Sequence, residues 1–390
     1  MNFNARYIII VLFVIVSLHY ILSFSHEPYG RATSLSNIKS KILPQKSSSP
    51  STPSSDSLEN FPAHTPVYNE TLSIDRRANA TFVILARNTD IQGTVKSIRE
   101  MEDRFNRRYR YPYVILNEVP FSEEFKSRIS VLTSAKIEFG VIPKEHWFQP
   151  DTIDEAKAKA GRDKMVEKNI IYGGSVSYRN MCRFNSGFFF RHPLMEKYRW
   201  YWRIEPDVHF HCDILYDPFV FMEEKKKVYS FTITMYEYEA TIPTLWGHVM
   251  DFAKLHPEFI AKDNSLGFMS TDNGHTYNLC HFWSNFEIAD MEFWRGPAYT
   301  AFFEYLDKQG GFYYERWGDA PVHSIAAALF VPRDQIQFFD DIGYEHNPYT
   351  HCPKGKGAWE RGKCSCDPLK SFDYDGYSCM SKWDRFIETT

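Results

Sequence analysis

The segment TFVILA, Thr81 to Ala86, opens the pattern that most limits what this chain can become. A short, nearly unbroken apolar run bounded by polar residues reads as a strand buried on both faces. The polar turn Arg87-Asn88-Thr89-Asp90 follows. A helix-period stretch then runs through about Tyr109, with a second strand at Tyr113–Leu116, a helix near Ser122–Leu132 and a strand near Ile137–Val141. This β-α-β-α-β succession predicts an α/β fold whose mostly parallel central sheet is flanked by helices. Such sheets bind ligands at their carboxyl edge. No GxGxxG follows the first strand and no Walker-type phosphate loop occurs, so dinucleotide oxidoreductases and P-loop enzymes lose their main support, while a sugar-nucleotide fold stays open.

With 390 residues, 43% of them hydrophobic, the chain has enough apolar surface for one large core or two modest ones. The net charge of -4 comes with no long run of either sign, which leaves no electrostatic footprint for nucleic acid. Aromatic residues make up 17% of the chain; they suit the C–H faces of sugar rings, and an aromatic-rich core accounts for them equally well. The cysteines, Cys182, Cys212, Cys280, Cys352, Cys364, Cys366 and Cys379, form no CxxC pair. In an oxidising compartment they favour disulfides over zinc, with one cysteine left over.

The amino terminus bears on the compartment. From Tyr7 to Phe24 the sequence YIIIVLFVIVSLHYILSF is almost wholly apolar, and as a helix it reaches roughly 27 Å, near one hydrocarbon thickness. It exceeds a usual signal-peptide core and lacks a small-x-small exit, so an uncleaved signal anchor is favoured over a cleaved peptide. Flanking charges do not fix its orientation. Two glycosylation sequons, at Asn69 and Asn79, lie beyond it and, with the cysteines, favour a lumenal carboxyl portion. The organisation read from the chain is a cytosolic tail at 1–6, a transmembrane anchor at 7–24, a Ser/Pro-rich lumenal stem at 25–77, a catalytic domain at 78–353 and a cysteine-containing extension at 354–390.

Several constellations offer chemistry. YRWYWRIEPD, Tyr198 to Asp207, reads as an aromatic strand stopped by proline, with Glu205 and Asp207 two residues apart across the stop. Such carboxylates can bridge a hard cation to a diphosphate, and Glu-Pro-Asp is also an ordinary turn. Glu287 sits amid aromatic residues in CHFWSNFEIAD, where a carboxylate has either partners or work. Asp319 in RWGDAPVHS fits the N-cap of a helix running through Ala328, and a role in chemistry is compatible with that. His346 and His351 flank Pro348 in GYEHNPYTHCP, where an imidazole can complete an oxygen-rich metal site or simply be solvated. Tyr178 and Arg179 open an expected helix and with Arg183 can meet phosphate oxygens there, although surface arginines are the commoner case.

Taken in order, NATFVILARNTD, SYRNMCRFNSGFFF, YWRIEPDVHFHCDI, YNLCHFWSNFEIAD, WGDAPVHS and IGYEHNPYTHCP resemble the fungal family of Golgi α-1,2-mannosyltransferases of the Kre2/Mnt1 type, across about residues 78 to 353. The resemblance implies a GT-A-like fold, GDP-mannose as donor, Mn2+ as cofactor, a mannose-terminated N- or O-linked glycan as acceptor, and retention of anomeric configuration. It further implies a single-pass type II protein of the Golgi membrane acting in mannan synthesis, with other Golgi glycosyltransferases as complex partners. By motif, Glu205 and Asp207 belong to the metal and diphosphate site and His346 is a direct Mn2+ ligand. Tyr178, with Arg183, contacts the donor, and Ala86, Arg87 and Asn88 border the guanosine half. Glu287 is nucleophile or stabiliser of positive charge at the anomeric carbon, and Asp319 positions donor or acceptor. Glu205 stands where the commoner acidic-x-acidic signature has Asp, which puts direct coordination by both carboxylates in question. Two other readings are a retaining glycosidase, with Glu287 paired to Glu205 or Asp319 at about 5 Å, and a non-catalytic mannan-binding protein on the same fold.

Overall fold

The structure, a computed structural model, describes residues 76–389. The apolar run at 7–24, the stem up to residue 75 and the sequon at Asn69 lie outside the described residues. Among the described residues no helix is long and apolar enough to cross a membrane.

A seven-stranded sheet forms the centre, in the order β10-β6-β9-β4-β1-β2-β3. Its strands are β1 (Ala80–Leu85), β2 (Tyr113–Asn117), β3 (Ile137–Val141), β4 (Trp200–Ile204), β6 (Tyr229–Phe231), β9 (Glu287–Asp290) and β10 (Ile336–Phe338). All pair in parallel except β9, which runs antiparallel to both β4 and β6. Two smaller antiparallel sheets join β5 (Val208–Phe210), β11 (Tyr344–His346) and β12 (Tyr349–His351), and β7 (Thr234–Tyr236) with β8 (Cys280–Phe282). The expected β-α-β-α-β opening is present: helix α1 (Ile91–Met101) continues through a wider turn at Glu102–Asn106 to Tyr109, and α2 (Glu123–Ser130) connects β2 to β3.

Strand periodicity decides what faces the site. Along β4, Trp200, Trp202 and Ile204 join one buried cluster with Phe82 and Phe105, whereas Tyr201 joins the other, with Val83 and Phe184. Alternation therefore turns Tyr201 and Arg203 toward the face covered by α3 (Val176–Gly187) and α5 (Asp319–Phe330), with α4 (Pro297–Gln309) packed beside both. Ladder register sets Arg203 opposite Glu287.

Helix α5 departs from the expected cap: Gly318 is its N-cap, Asp319 is its first residue, and the helix runs to Phe330. The Asp319 carboxylate is turned instead to Arg203 and Ser284.

The disulfides are Cys212–Cys364, Cys280–Cys379 and Cys352–Cys366, and Cys182 is the buried free thiol. Each bond joins a cysteine of the 354–390 segment to one before it. In that segment α6 (Met380–Glu388) seats Trp383 edge-on against Phe231, Phe268 and Phe282 in the main core. A buried indole of this kind is worth about 3–5 kcal/mol against alanine.

Candidate active site

Arg203 is the hub of the carboxyl edge. Its Nη1 lies 2.5 Å from Asp319 Oδ2, and its Nη2 donates to Glu205 Oε1. Ser284 Oγ adds a 2.7 Å hydrogen bond to the same Asp319 oxygen. Burial works against the guanidinium charge, yet Asp319, Glu205 and Glu287 together hold its pKa well above the ordinary value. Burial alone would raise both acids, but Arg203, aided by His346 at one and His323 at the other, lowers Asp319 and brings Glu205 down to about 2.

Glu287, fully buried on β9, is held from three sides. Tyr201 Oη donates to its Oε2 at 2.8 Å; Tyr229 Oη donates to Oε1 at 2.9 Å, and His323 Nδ1 lies 2.8 Å from Oε1. The other ring nitrogen of His323 meets the Asn185 carbonyl at 3.0 Å. Position and rotamer of this carboxylate are therefore fixed. The signal that a charge inside an aromatic segment needs partners proves sound, and the partners come from β4, β6 and α5.

His346 ends β11, where pairing with β5 sets it opposite Val208, one residue beyond the Glu-Pro-Asp turn. Its ring meets Trp283 edge-on at 5.1 Å, and its Nε2 lies 3.5 Å from Glu205 Oε2. Burial lowers the His346 pKa, but Glu205 outweighs it and the net shift is upward. The 3.5 Å separation of these oxygen and nitrogen donors suits adjacent ligands of one cation, each bound at about 2.0–2.2 Å. Arg203 occupies only Oε1, which leaves Oε2 to bind. Among the described residues no group of three or more His, Cys, Asp or Glu is arranged as a complete metal cage. Glu205 Oε2 and His346 Nε2 could together supply two ligands to a divalent cation.

A narrow cavity adjoins these groups. Arg203, Glu205, Glu287 and Asn185 line its polar side, and Leu85 of β1 and Leu116 of β2 line its apolar side.

Other expected site residues divide into two groups. Ala86 is buried where β1 ends, with its N–H donating to Leu116 O. Asn88 bridges to the loop after β2 through Pro120 O and Ser122 N, while the exposed Arg87 pairs with Asp90. Tyr178 stacks on Tyr172 at 4.5 Å and receives Arg316 over its ring, and burial lifts its hydroxyl well above the usual pKa.

Three further residues singled out in the sequence make the following contacts. Arg183 is buried and doubly bonded to Asp307 of α4, at 2.7 and 2.8 Å, and thereby ties two helices together. Arg179 is likewise committed to the carbonyls of Ser175 and Glu315. Asp207, 67% exposed, adopts a left-handed φ of 62°, lies against α1 and pairs with Lys96 at 3.3 Å. A Cβ on Gly93 would lie 2.5 Å from Asp207 Oδ2, so glycine is what lets α1 approach the turn. Glu205 and Asp207 consequently point to different partners, and His346, not Asp207, is the donor beside Glu205. The exposed Asn79 precedes β1, with its amide donating to Lys197 O, while Thr81 of the same sequon is buried.

Arg203, Tyr201, Tyr229, Ser284, His323 and Asn185 were not anticipated. Arg203 had a readable signal: a lone charge inside an otherwise apolar aromatic strand, two residues before an acid.

The sequence profile described as "Glycolipid 2-alpha-mannosyltransferase" matches residues 33–388. The chain is 56% identical over 307 residues to the Alpha-1,2 mannosyltransferase KTR1 of Saccharomyces cerevisiae, covering 79% of this chain and 78% of that protein. Its fold is similar to the crystal structure of the S. cerevisiae mannosyltransferase Ktr4p in complex with GDP, with a TM-score of 0.80, 39% identity, and 84% and 89% of the two chains covered. The Mn/GDP form of core-mannan synthase A from Aspergillus fumigatus gives a TM-score of 0.75 at 37% identity, over 83% and 88% of the two chains.

Proposed function

The chain belongs to the glycolipid 2-alpha-mannosyltransferase family, and from that premise we propose that it transfers mannose from GDP-mannose to a hydroxyl of a mannose-terminated glycan, forming an α-1,2 linkage. It is a glycosyltransferase with a GT-A-type fold, which sets aside the glycosidase and the non-catalytic readings. The observation that carries the mechanism is the open donor pair of Glu205 Oε2 and His346 Nε2 beside the Arg203–Asp319–Glu287 network.

A divalent cation held by Glu205 and His346, Mn2+ in this reading, would supply the charge that steadies the departing GDP. Arg203 fixes the Glu205 rotamer by gripping one oxygen and turning the other to the site. Asp319, clasped by Arg203 and Ser284, stiffens the same edge from α5. Glu287 already accepts three hydrogen bonds, so its lone pairs are drawn away from attack. It acts as a fixed negative charge beside the anomeric carbon, steadying the positive charge that develops there during a front-face, retaining transfer. Tyr178 borders the donor from α3.

The acceptor is an N- or O-linked glycan, and the enzyme works as a type II protein of the Golgi membrane with its catalytic domain in the lumen. Support comes from the apolar run at 7–24, the exposed sequon asparagine at 79 and three disulfides, which persist in oxidising compartments. Glu205→Ala and His346→Ala test the metal assignment. Each is expected to lower kcat on the order of 100-fold and to raise the Mn2+ needed for half activation. Unchanged kcat and Mn2+ dependence in both variants would remove it.

A further inference from the structure

Asn185 lies on α3, 6% exposed, and its side chain lines the cavity between Glu287 and Glu205. Its Nδ2 is buried and has no hydrogen-bond partner in the structure. A buried amide donor left unmade costs about 1–3 kcal/mol, so its retention at a cavity wall calls for a partner that arrives with a ligand. Its backbone carbonyl is engaged separately, by His323. The side chain is thus available for recognition while the main chain keeps the Glu287 cage in register.

The surroundings define what that partner is. Glu205, Glu287 and Arg203 line it together with Val83, Leu85 and Leu116, which add aliphatic surface from β1 and β2. Carboxylates accept from hydroxyl groups, an amide N–H donates to a hydroxyl oxygen, and the aliphatic wall suits the C–H face of a pyranose ring. A polyol ring with one apolar face matches that combination of acceptors, donor and aliphatic surface.

We infer that Asn185 is a specificity-determining residue whose Nδ2 donates to one ring hydroxyl of the mannosyl group of the donor, in the cavity between Glu205 and Glu287. This rests on the proposed GDP-mannose reaction and adds to it the residue that reads the sugar. A hydrogen bond to the seated hexose would satisfy this amide, which would then contribute to donor choice without contributing to GDP binding.

The test uses the purified full chain with Mn2+, GDP-mannose and its 2-, 3-, 4- and 6-deoxymannose analogues. Asn185→Ala is expected to lower kcat/KM for GDP-mannose roughly tenfold while the Kd for GDP and the Tm stay at the native values. One deoxy analogue is expected to lose roughly tenfold in the native enzyme and to lose nothing further in the variant, since both changes delete the same hydrogen bond. Asn185→Ser, which keeps a shorter donor, is expected to fall between. The inference is overturned if Asn185→Ala stays within twofold of native kcat/KM, if all analogues suffer equally in both proteins, or if GDP affinity falls with activity. Failure of the native enzyme to use GDP-mannose at all would sink the reaction itself, a distinct outcome.

Discussion

The cage around Glu287 allows its two oxygens to be separated by experiment. Oε2 has one donor, Tyr201 at 2.8 Å, and that same hydroxyl accepts from Trp294 Nε1 at 3.1 Å. Oε1 has two neighbours, Tyr229 at 2.9 Å and His323 at 2.8 Å. Tyr201→Phe therefore orphans a buried carboxylate oxygen and a buried indole N–H at once. Tyr229→Phe leaves Oε1 with His323. A hydrogen bond to a charged group contributes about 1.5–3 kcal/mol and an orphaned buried donor costs about 1–3, so Tyr201→Phe should lose about 3 kcal/mol or more and Tyr229→Phe about 1.5–3. Each substitution removes one oxygen and keeps the ring, so cavity effects are small. Urea unfolding with disulfides intact reads the stabilities, and steady-state kinetics with GDP-mannose reads kcat, which should fall in the same order because both tyrosines act through the orientation of Glu287. Equal losses, or the reverse order, would refute the accounting by oxygen atom. Lost stability with native kcat would make Glu287 a structural carboxylate.

Other expectations follow from the same geometry. Arg183→Ala should destabilise the protein by about 2–3 kcal/mol through the Asp307 pair it breaks, with KM for GDP-mannose unchanged; a raised KM would restore the arginine to the donor site. His351 is fully buried, and although burial lowers its pKa, Asp373 at 3.0 Å from Nδ1 raises it overall. A raised folded value means that this stabilisation is complete below about pH 6.5, the unfolded value, and is lost as pH rises through the folded one. Native protein should accordingly lose Tm between pH 6 and 9 relative to His351→Asn, and parallel pH profiles would contradict the pair's role. Joint replacement of Cys280 and Cys379 by serine removes a cross-link between residues 99 apart, with an expected cost of about 2–5 kcal/mol by urea unfolding.

Where order was set by neighbours in the chain, the sequence could be read. The β1-α1-β2-α2-β3 opening announced itself because strands buried on both faces must be continuously apolar, as Val114, Ile115 and Leu116 are. Glu205, Glu287, Asp319 and His346 were picked out as chemistry-bearing residues, by local context and by the resemblance of their motifs. What joins them was not legible. The antiparallel insertion of β9 between β4 and β6 sets Glu287 across from Arg203, and that register depends on segments far apart in the chain. The Asp307 pairing of Arg183 was not legible either: the arginine sits four residues from Arg179, and both lie on the buried side of α3. Asp207 takes a left-handed φ after Pro206, a conformation in which Asp is enriched, and there it meets Lys96, a contact set by the tertiary fold. The cysteine count foretold an odd thiol, while pairings that reach across as many as 152 residues belong to the tertiary fold.

Product structure tests the central claim most directly. The purified full chain, incubated with GDP-mannose, methyl α-mannoside and Mn2+, should yield a disaccharide whose NMR spectrum shows a new α-1,2 mannosyl linkage. That product should disappear on chelation of the metal and in Glu205→Ala. A β linkage would contradict retention, use of UDP-sugars only would contradict the donor, and full activity after chelation would contradict the Glu205–His346 metal site.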